Sequence, residues 1–163
     1  MEKYIIDADA FINLDHHYRD RFNVLRRLVS NGRVFIPEGV RRELLRKSDK
    51  LSMRVEKWRD KYTQFIVPIS QNQHLMNELA RIERAYGERI SVGGKEYNGF
   101  WSSQAGKKAA DGQVVAVAKV LGCTVVSDDM AVKLACMLEN LPCIGWTEFA
   151  RRVGILEKQQ RLL

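Results

Sequence analysis

Residues 109–129 constrain the fold most strongly, because their pattern predicts a helix with one buried face followed directly by a buried strand. Four apolar residues recur at the spacing of one helical face: Val114, Val117, Ala118 and Leu121. Gly122 is expected to end this helix, since glycine readily adopts the left-handed conformation that often follows one. The run 123–126 is short and apolar, which is typical of a strand buried in a parallel sheet. This order predicts an α/β fold, in which ligands bind beyond the carboxyl ends of the strands.

Four further segments have the pattern of short strands, and amphipathic helical segments lie between them. These segments are residues 4–6, 34–36, 65–69 and 143–146. Strands that alternate with helices form parallel sheets through right-handed crossovers. We therefore expect a central, mostly parallel five-stranded sheet that is flanked by helices.

Residues 87–108 form a long stretch without clear periodicity, and we expect an insertion that is a functional or mobile loop. Its five glycines are interleaved with aromatic residues and lysines. Phe100 and Trp101 could stack on nucleobases or fill an edge of the core, and the sequence favours neither alternative.

The composition is that of one soluble globular domain. Of the 163 residues, 45% are hydrophobic and 29% are charged, and we assign residues 1–155 to the domain and residues 156–163 to a frayed tail. No apolar run approaches the roughly 20 residues that span a membrane, and the first residues lack the apolar segment of a signal peptide. The three cysteines have no C-x-x-C spacing, which favours buried reduced thiols over a disulfide or a zinc site. These features predict a cytoplasmic protein without a membrane partner.

Positive charge is concentrated in one segment of the chain. Residues 19–61 contain 14 Lys and Arg against 6 Asp and Glu, and the net charge of the whole protein is +7. Such a basic segment favours a polyanion such as RNA, because phosphate contacts dominate nucleic-acid affinity. The alternative is a set of ordinary solvated helix faces. Arg41, Arg42 and Arg46 are the candidate RNA-binding residues.

Acidic residues stand where the predicted strands end or where the helices after them begin. They are Asp7, Asp9, Glu43, Asp111, Asp128 and Asp129. Each alone could be a helix N-cap or part of a surface ion pair. Because the carboxyl ends of parallel strands share one edge of a sheet, the acids would come together there, which is unfavourable unless a cation neutralises them. A hard ion such as Mg²⁺ or Mn²⁺ suits such oxygen ligands.

Four motifs in this order resemble the PIN-domain nucleases over nearly the whole chain, from Tyr4 to about Val153. The motifs are DADAF, PEGVRREL, DGQVVAVAKVLG and VVSDD. The resemblance implies a single-domain PIN-like fold with strand order 3-2-1-4-5 and three or four acids that hold Mg²⁺ or Mn²⁺. Asp9 departs from the Asn or Ser that is more usual in the family, and residues 71–108 are longer than in its compact toxin members.

The resemblance also implies roles for the acidic residues. The catalytic residues that it implies are Asp7, Glu43, Asp111 and Asp129. The metal ligands that it implies are Asp7, Asp111 and either Asp128 or Asp129. A Thr or Ser usually stands two residues before the last acid, which favours Asp129 together with Ser127. Asp9 is then an accessory acid beside the first one.

These features predict a metal-dependent endoribonuclease that hydrolyses RNA in line and leaves a 3′-hydroxyl. It would be either the toxin of a toxin–antitoxin pair or an RNA-processing enzyme, and its expected partners are RNA, a cognate antitoxin and a second copy of the chain. One alternative is a PIN-like module that binds RNA or protein without cleaving. The other is a receiver-like phosphoacceptor domain. Against it, Ile36 and Ile69 end the middle strands where an acceptor Asp is needed, and Trp146 ends the last strand in place of a Lys.

Overall fold

The computed structural model describes residues 1–103, 106 and 109–156. Within these residues there are seven strands, namely β1 (Tyr4–Ile6), β2 (Val34–Pro37), β3 (Ile66–Val67), β4 (Arg89–Val92), β5 (Lys95–Asn98), β6 (Thr124–Val126) and β7 (Cys143–Ile144). The same residues form eight α-helices, namely α1 (Ala8–His17), α2 (Phe22–Ser30), α3 (Glu38–Leu44), α4 (Lys50–Lys61), α5 (Gln73–Tyr86), α6 (Asp111–Leu121), α7 (Met130–Leu138) and α8 (Trp146–Arg152). Short 3-10 turns occur at Arg19–Arg21 and Phe100–Ser102.

Five strands form one parallel sheet in the order β3-β2-β1-β6-β7. Counted along this sheet alone, the order is 3-2-1-4-5, which confirms the predicted PIN-like topology. The register pairs Ile6 of β1 with Val126 of β6. The residues that follow these two central strands, Asp7 and Ser127, therefore lie side by side at one edge of the sheet.

The core lies on both faces of the sheet, and the central strands are entirely buried. Val114, Val117 and Ala118 of α6 are 0% exposed, as their periodicity predicts. Leu121, the fourth position of the predicted stripe, is instead 44% exposed. It lies in the last turn of α6, where the helix emerges into solvent before Gly122 ends it in the left-handed conformation (φ 71°).

Two of the predicted strands are shorter in the structure. The segment 65–69 contributes only Ile66–Val67 to the sheet, and Pro68 follows, which has no amide hydrogen to donate to a neighbouring strand. The segment 143–146 contributes only Cys143–Ile144. Gly145 is already the N-cap of α8, so Trp146 is the first residue of that helix rather than the last residue of the strand.

Residues 87–108, which we expected to form a loop, contain a β-hairpin. β4 and β5 pair antiparallel, and Gly93 and Gly94 between them both have positive φ (57° and 78°), as a two-residue type I′ turn requires. Ile90 and Phe100 are buried, and Trp101 packs against the core. These contacts support the core-filling alternative for the aromatic residues of this stretch.

Parts of two predictions lie outside the described residues. They are the end of the insertion at Gln104, Ala105, Lys107 and Lys108, and the tail from residue 157 onward. All three cysteines are free thiols; Cys123 and Cys136 are buried and Cys143 is half-buried. None of the helices in the described part of the chain is long and apolar enough to cross a membrane.

Candidate active site

Asp7 is held at the carboxyl end of β1, where the chain turns into α1. As the N-cap of α1, it accepts a hydrogen bond at Oδ1 from the amide of Ala10 (2.8 Å), a role for which Asp is well suited. Its own amide donates to the carbonyl of Val126 in β6 (3.2 Å). Asp7 is only 4% exposed, so a carboxyl group is buried at the junction of the two central strands.

Ser127 connects Asp7 to a second acid at the same edge. The residue is fully buried, and its Oγ donates a hydrogen bond to Asp7 Oδ2. The same Oγ accepts a hydrogen bond from the amide of Asp129 (3.1 Å). Asp129 in turn caps α7, because its Oδ2 accepts from the amide of Val132 (3.0 Å). One hydroxyl group therefore fixes the two acids relative to each other.

Glu43 and Asp111 reach this edge from two helices that approach closely. Glu43 Oε1 accepts a hydrogen bond from the amide of Ala110 (2.8 Å), which joins α3 to the start of α6. The amide of Gly39 donates to Gln113 Oε1 (2.8 Å), and a Cβ on residue 39 would lie 2.6 Å from that oxygen. The missing side chain of Gly39 therefore allows the close approach that brings Glu43 to the start of α6.

Helix capping does not explain Asp111. The N-cap of α6 is Ala110, and no side-chain hydrogen bond caps the helix there. Asp111 is the first residue of the helix, and no described residue donates a hydrogen bond or forms an ion pair with its carboxylate. An acid in the first turn gains only about 0.3–1 kcal/mol from the helix dipole. The carboxylate of Asp111 thus lies at the site without a described cationic or hydrogen-bonding partner.

The acids border a cleft of about 590 Å³. Its described lining includes four of them: Asp9, Glu43, Asp111 and Asp129. Arg46 is the one cation among the described lining residues, and the apolar side chains of Ala8 and Ile12 complete this part of the wall. The cleft is therefore strongly acidic, although the protein as a whole is basic.

The pKa values of the buried acids respond to this crowding. Burial, and to a lesser extent repulsion from Asp129, Asp7, Glu43 and Asp9, raises the pKa of Asp111 to about 8. Burial likewise raises the pKa of Asp7 to about 7, against the lowering effect of its hydrogen bonds from Ser127 and Ala10. The pKa of Glu43 is also raised, mainly by burial. Without a cation, the cluster therefore retains protons near neutral pH.

The donor chemistry of the cluster fits a hard divalent cation. Among residues 1–103, 106 and 109–156, no group of three His, Cys, Asp or Glu side chains is already arranged to hold a metal ion. The carboxylates are nevertheless close enough to raise one another's pKa values, and oxygen ligands are those that Mg²⁺ and Mn²⁺ prefer. A bound cation would also favour the charged forms of Asp7 and Asp111, against the burial and repulsion that raise their pKa values.

Asp128 is engaged elsewhere, unlike its neighbour Asp129. Its Oδ2 accepts a hydrogen bond from the amide of Trp146 at the start of α8 (3.1 Å), and its Oδ1 lies 3.8 Å from Lys133 Nζ. A Cβ on Gly145 would lie 2.4 Å from Asp128 Oδ1, so the chain passes directly over this carboxylate. Asp128 also does not contribute to the raised pKa values of Asp7 and Asp111, whereas Asp129 contributes to both.

The three arginines proposed to bind RNA lie in different surroundings. Arg41 is half-buried, and its Nε donates a hydrogen bond to Glu56 Oε1 (2.6 Å). Arg42 is exposed on α3. Arg46 lines the acidic cleft and lowers the pKa of Glu43. Arg46 is thus the one of the three that borders the acids.

Two residues at this edge are not suggested by the motifs. Asn13 and Trp146 line a second recess together with Asp9, Asp128 and Asp129. Asn13 follows Asp9 by four residues and so shares its face of α1. Trp146 comes shortly after the last strand, at the edge where the carboxyl ends of parallel strands meet. Both residues could therefore be found from their positions in the fold, although neither was singled out by the motifs.

Comparison with known proteins gives one family match and several structural ones. The model of a family described as "Domain of unknown function (DUF4411)" matches residues 4–155. No curated protein sequence matches the chain. Among solved structures, FitAB bound to an IR36 DNA fragment has a TM-score of 0.53 and 19% identity, over 96% of this chain and 99% of that chain.

Two further structures resemble the chain over most of its length. FitAcB from Neisseria gonorrhoeae has a TM-score of 0.50 and 17% identity, over 88% of this chain and 98% of that chain. VapBC2 from Rickettsia felis, bound to a DNA fragment from its promoter, has a TM-score of 0.50 and 15% identity, with the same coverage of 88% and 98%. At these identities the similarity concerns the fold, and it confirms the PIN-like fold that the motifs predict.

The raised pKa values predict how stability depends on pH in the absence of metal. Asp7 and Asp111 have folded-state pKa values of about 7 and about 8, above the ordinary 3.8, so the folded state binds more protons than the unfolded state between these values. The free energy of unfolding should therefore fall as pH rises from about 4 to about 8, by up to roughly 8 kcal/mol. Denaturant melts in EDTA across this range measure the change.

Asp111→Asn should flatten this dependence and should be more stable than the wild type at pH 8, since it removes one of the repelling charges. Asp20→Asn is the matched control, because Asp20 is exposed in the Arg19–Arg21 turn and outside the cluster. Equal pH profiles for the wild type and Asp111→Asn would show that the acids are not crowded in solution.

Proposed function

This chain belongs to the family described as "Domain of unknown function (DUF4411)" and has a PIN-like fold, and we propose that it is a metal-dependent endoribonuclease. The observation that supports the proposal is the meeting of Glu43, Asp111 and Asp129 in the lining of one cleft, with the buried Asp7 joined to Asp129 through Ser127. Burial and the neighbouring acids raise the pKa values of Asp7, Glu43 and Asp111. Strongly perturbed carboxyl groups in a cleft are typical of sites of chemistry. Helix capping does not account for Asp111, whose carboxylate has no hydrogen-bonding or cationic partner among the described residues.

Asp7, Asp111 and Asp129 would hold Mg²⁺ or Mn²⁺ in this site. The ion would supply positive charge to the scissile phosphate and would make a water molecule more acidic. Asp7 and Asp129 are already oriented by Ser127 and by their helix-capping bonds, so little conformational freedom is lost when they bind. We assign Asp129 rather than Asp128 to the fourth position, because the carboxylate of Asp128 is committed to the start of α8.

Glu43 is suited to position and deprotonate the attacking water. Its Oε1 is fixed by the amide of Ala110, which leaves Oε2 to accept a hydrogen bond and then the proton from that water. Burial raises its pKa, which makes it a better base than an exposed glutamate. Arg46 at the cleft wall would contact a substrate phosphate, and in-line attack would leave a 3′-hydroxyl on the departing strand. Asp9 at the cleft rim would add negative charge beside the ion.

Cleavage of labelled single-stranded RNA tests this function directly. We expect cleavage in Mg²⁺ or Mn²⁺, none in EDTA, and none by Asp7→Asn, Asp111→Asn or Asp129→Asn, because each loses a charged oxygen ligand. Ser127→Ala should cleave about 10–100-fold more slowly, as is usual when a group that orients metal ligands is removed. Ser127→Thr, which keeps the hydroxyl, should restore most of the rate.

Two controls separate the site from the surrounding scaffold. Asp20→Asn removes the same charge far from the cleft and should cleave normally, and Asp128→Asn should lose less activity than Asp129→Asn. Cleavage that persists in EDTA, or in all three ligand variants, would refute the assignment. Loss in Asp128→Asn with full activity in Asp129→Asn would move the fourth acid to Asp128.

We propose further that the chain acts with an antitoxin and as a homodimer, since FitAB and VapBC2, which share its fold, are toxin–antitoxin complexes bound to DNA. Expression of the wild type alone should then arrest growth, and expression of Asp7→Asn should not. A small protein encoded next to the gene should relieve the arrest and co-purify with the chain. Without this small protein, the purified chain should have about twice its mass of 18.8 kDa in light scattering.

An RNA-processing enzyme predicts a different result for the same experiment. RNA cleavage in vitro without growth arrest, and without a neighbouring gene product that binds the chain, would favour RNA processing over the toxin role.

A further inference from the structure

A second cleft lies between α2 and α4 and shares no described lining residue with the acidic cleft. We call it the α2–α4 cleft; it has a volume of about 500 Å³. Four cations line it: Arg26, Arg54, Lys57 and Lys61. Phe22 and Trp58 form an aromatic wall, and none of the described lining residues is acidic. Four of the 14 Lys and Arg of the basic segment 19–61 therefore line one concave surface.

Internal contacts orient the arginines of the α2–α4 cleft, and of its four cations Arg54 alone has an acidic partner among the described residues. The Arg54 guanidinium lies 4.1 Å from the centroid of the Phe22 ring, and its Nη1 is 3.3 Å from Asp15 Oδ1. Arg26 Nη1 donates a hydrogen bond to the Tyr62 hydroxyl (3.3 Å). These contacts leave other guanidinium donors of both residues available, and guanidinium groups suit the fork geometry of phosphate.

Lys57 and Lys61 add charge without a described acidic partner. Both side chains are exposed, and no Asp or Glu among the described residues lies within ion-pair distance of either ammonium group. Lys61 Nζ lies 5.6 Å from the centroid of the Tyr62 ring, which is a weak contact for an exposed cation. Four like charges around one cleft favour the binding of a polyanion.

A further recess adjoins the acidic cleft, with which it shares Ile12, Glu43 and Arg46. Its lining combines the cations Arg19, Arg46 and Lys47 with the acids Asp15, Glu43 and Asp49. Asp15 forms an ion pair with Arg54 of the α2–α4 cleft (3.3 Å). Through this ion pair the recess is linked to the α2–α4 cleft.

We infer that the α2–α4 cleft is a second RNA-binding site, which takes the backbone phosphates of the single strand that flanks the cleaved bond. This assignment of the substrate path rests on the proposed ribonuclease function. An acidic peptide would also match the charge of the cleft. RNA is favoured because the recess beside the acidic cleft carries three further cations, Arg19, Arg46 and Lys47, and the evenly spaced phosphates of a strand held at both places would pass them.

Binding of RNA in EDTA tests this path without cleavage. The variant Lys57→Gln/Lys61→Gln removes two cleft charges, and Lys3→Gln/Lys95→Gln is the matched control, since Lys3 and Lys95 are exposed and lie outside the cleft. The measurement is fluorescence anisotropy of a labelled single-stranded RNA of about 16 nucleotides at several salt concentrations. The slope of log K against log salt should become shallower by about 1.4 in the cleft variant, at about 0.7 per lost contact, and should not change in the control.

An RNA of about four nucleotides, which is near the smallest single-strand site size, cannot occupy both places and should bind the wild type more weakly than the long RNA does. Equal slopes for the cleft variant and the control on the long RNA would overturn the inference. So would displacement of the long RNA by poly-glutamate at the same charge concentration, which would identify a site for acidic polypeptides.

The same proteins separate this inference from the proposed function. In Mn²⁺ the control variant should cleave the long RNA at the wild-type rate, whereas the cleft variant should cleave it more slowly at limiting RNA concentration, because it binds the flanking strand less tightly. A reduced salt slope with no cleavage by any protein would support the RNA site and refute the ribonuclease proposal. Normal cleavage with an unchanged slope would support the ribonuclease and refute the site.

Discussion

The hydrogen bond from Ser127 to the buried carboxyl group of Asp7 is the interaction on which the site depends. It exists because β1 and β6 pair in register and end together, so that the residues after Ile6 and Val126 lie side by side. A buried carboxylate is costly unless hydrogen bonds or charges compensate it. Ser127 and the start of α1 supply part of that compensation, and the raised pKa of Asp7 shows that they do not supply all of it. The remaining imbalance is what a divalent cation would relieve.

Negative and positive charges are concentrated at different places on the molecule. The acids are confined to one cleft at the strand ends, whereas four cations surround the α2–α4 cleft and Arg46 stands at the acidic wall. A substrate that carries regularly spaced negative charges would be attracted to the basic surface and repelled by the bare acids. A bound cation would reverse that repulsion locally, because the ion is the largest charge in such a site. Metal binding and substrate binding would therefore be coupled by charge alone.

The sequence predicts the sheet and the acids well, because both depend on local pattern. Buried strands such as 4–6 and 123–126 are recognisable from their short apolar runs. Residues that follow neighbouring parallel strands lie at the same edge of the sheet, and this places Asp7 beside Ser127. Whether Asp128 or Asp129 faces the cleft depends on the path of α8 past Gly145, which no local pattern encodes. The hydrogen bond from Arg41 to Glu56 likewise depends on how the helices pack against each other, which the local sequence does not encode. The hairpin at 87–108 had a local signal in Gly93-Gly94, but the many glycines of the stretch obscured it.

Titration calorimetry with Mn²⁺ tests the central claim, that the crowded acids form a cation site. We expect one Mn²⁺ to bind the wild type at pH 7 with release of protons, because Asp7 and Asp111, with pKa values of about 7 and about 8, must lose their protons to bind metal. Asp111→Asn should bind much more weakly and release fewer protons, and Asp20→Asn should match the wild type. Equal binding by the wild type and Asp111→Asn, or no binding by the wild type, would contradict the account.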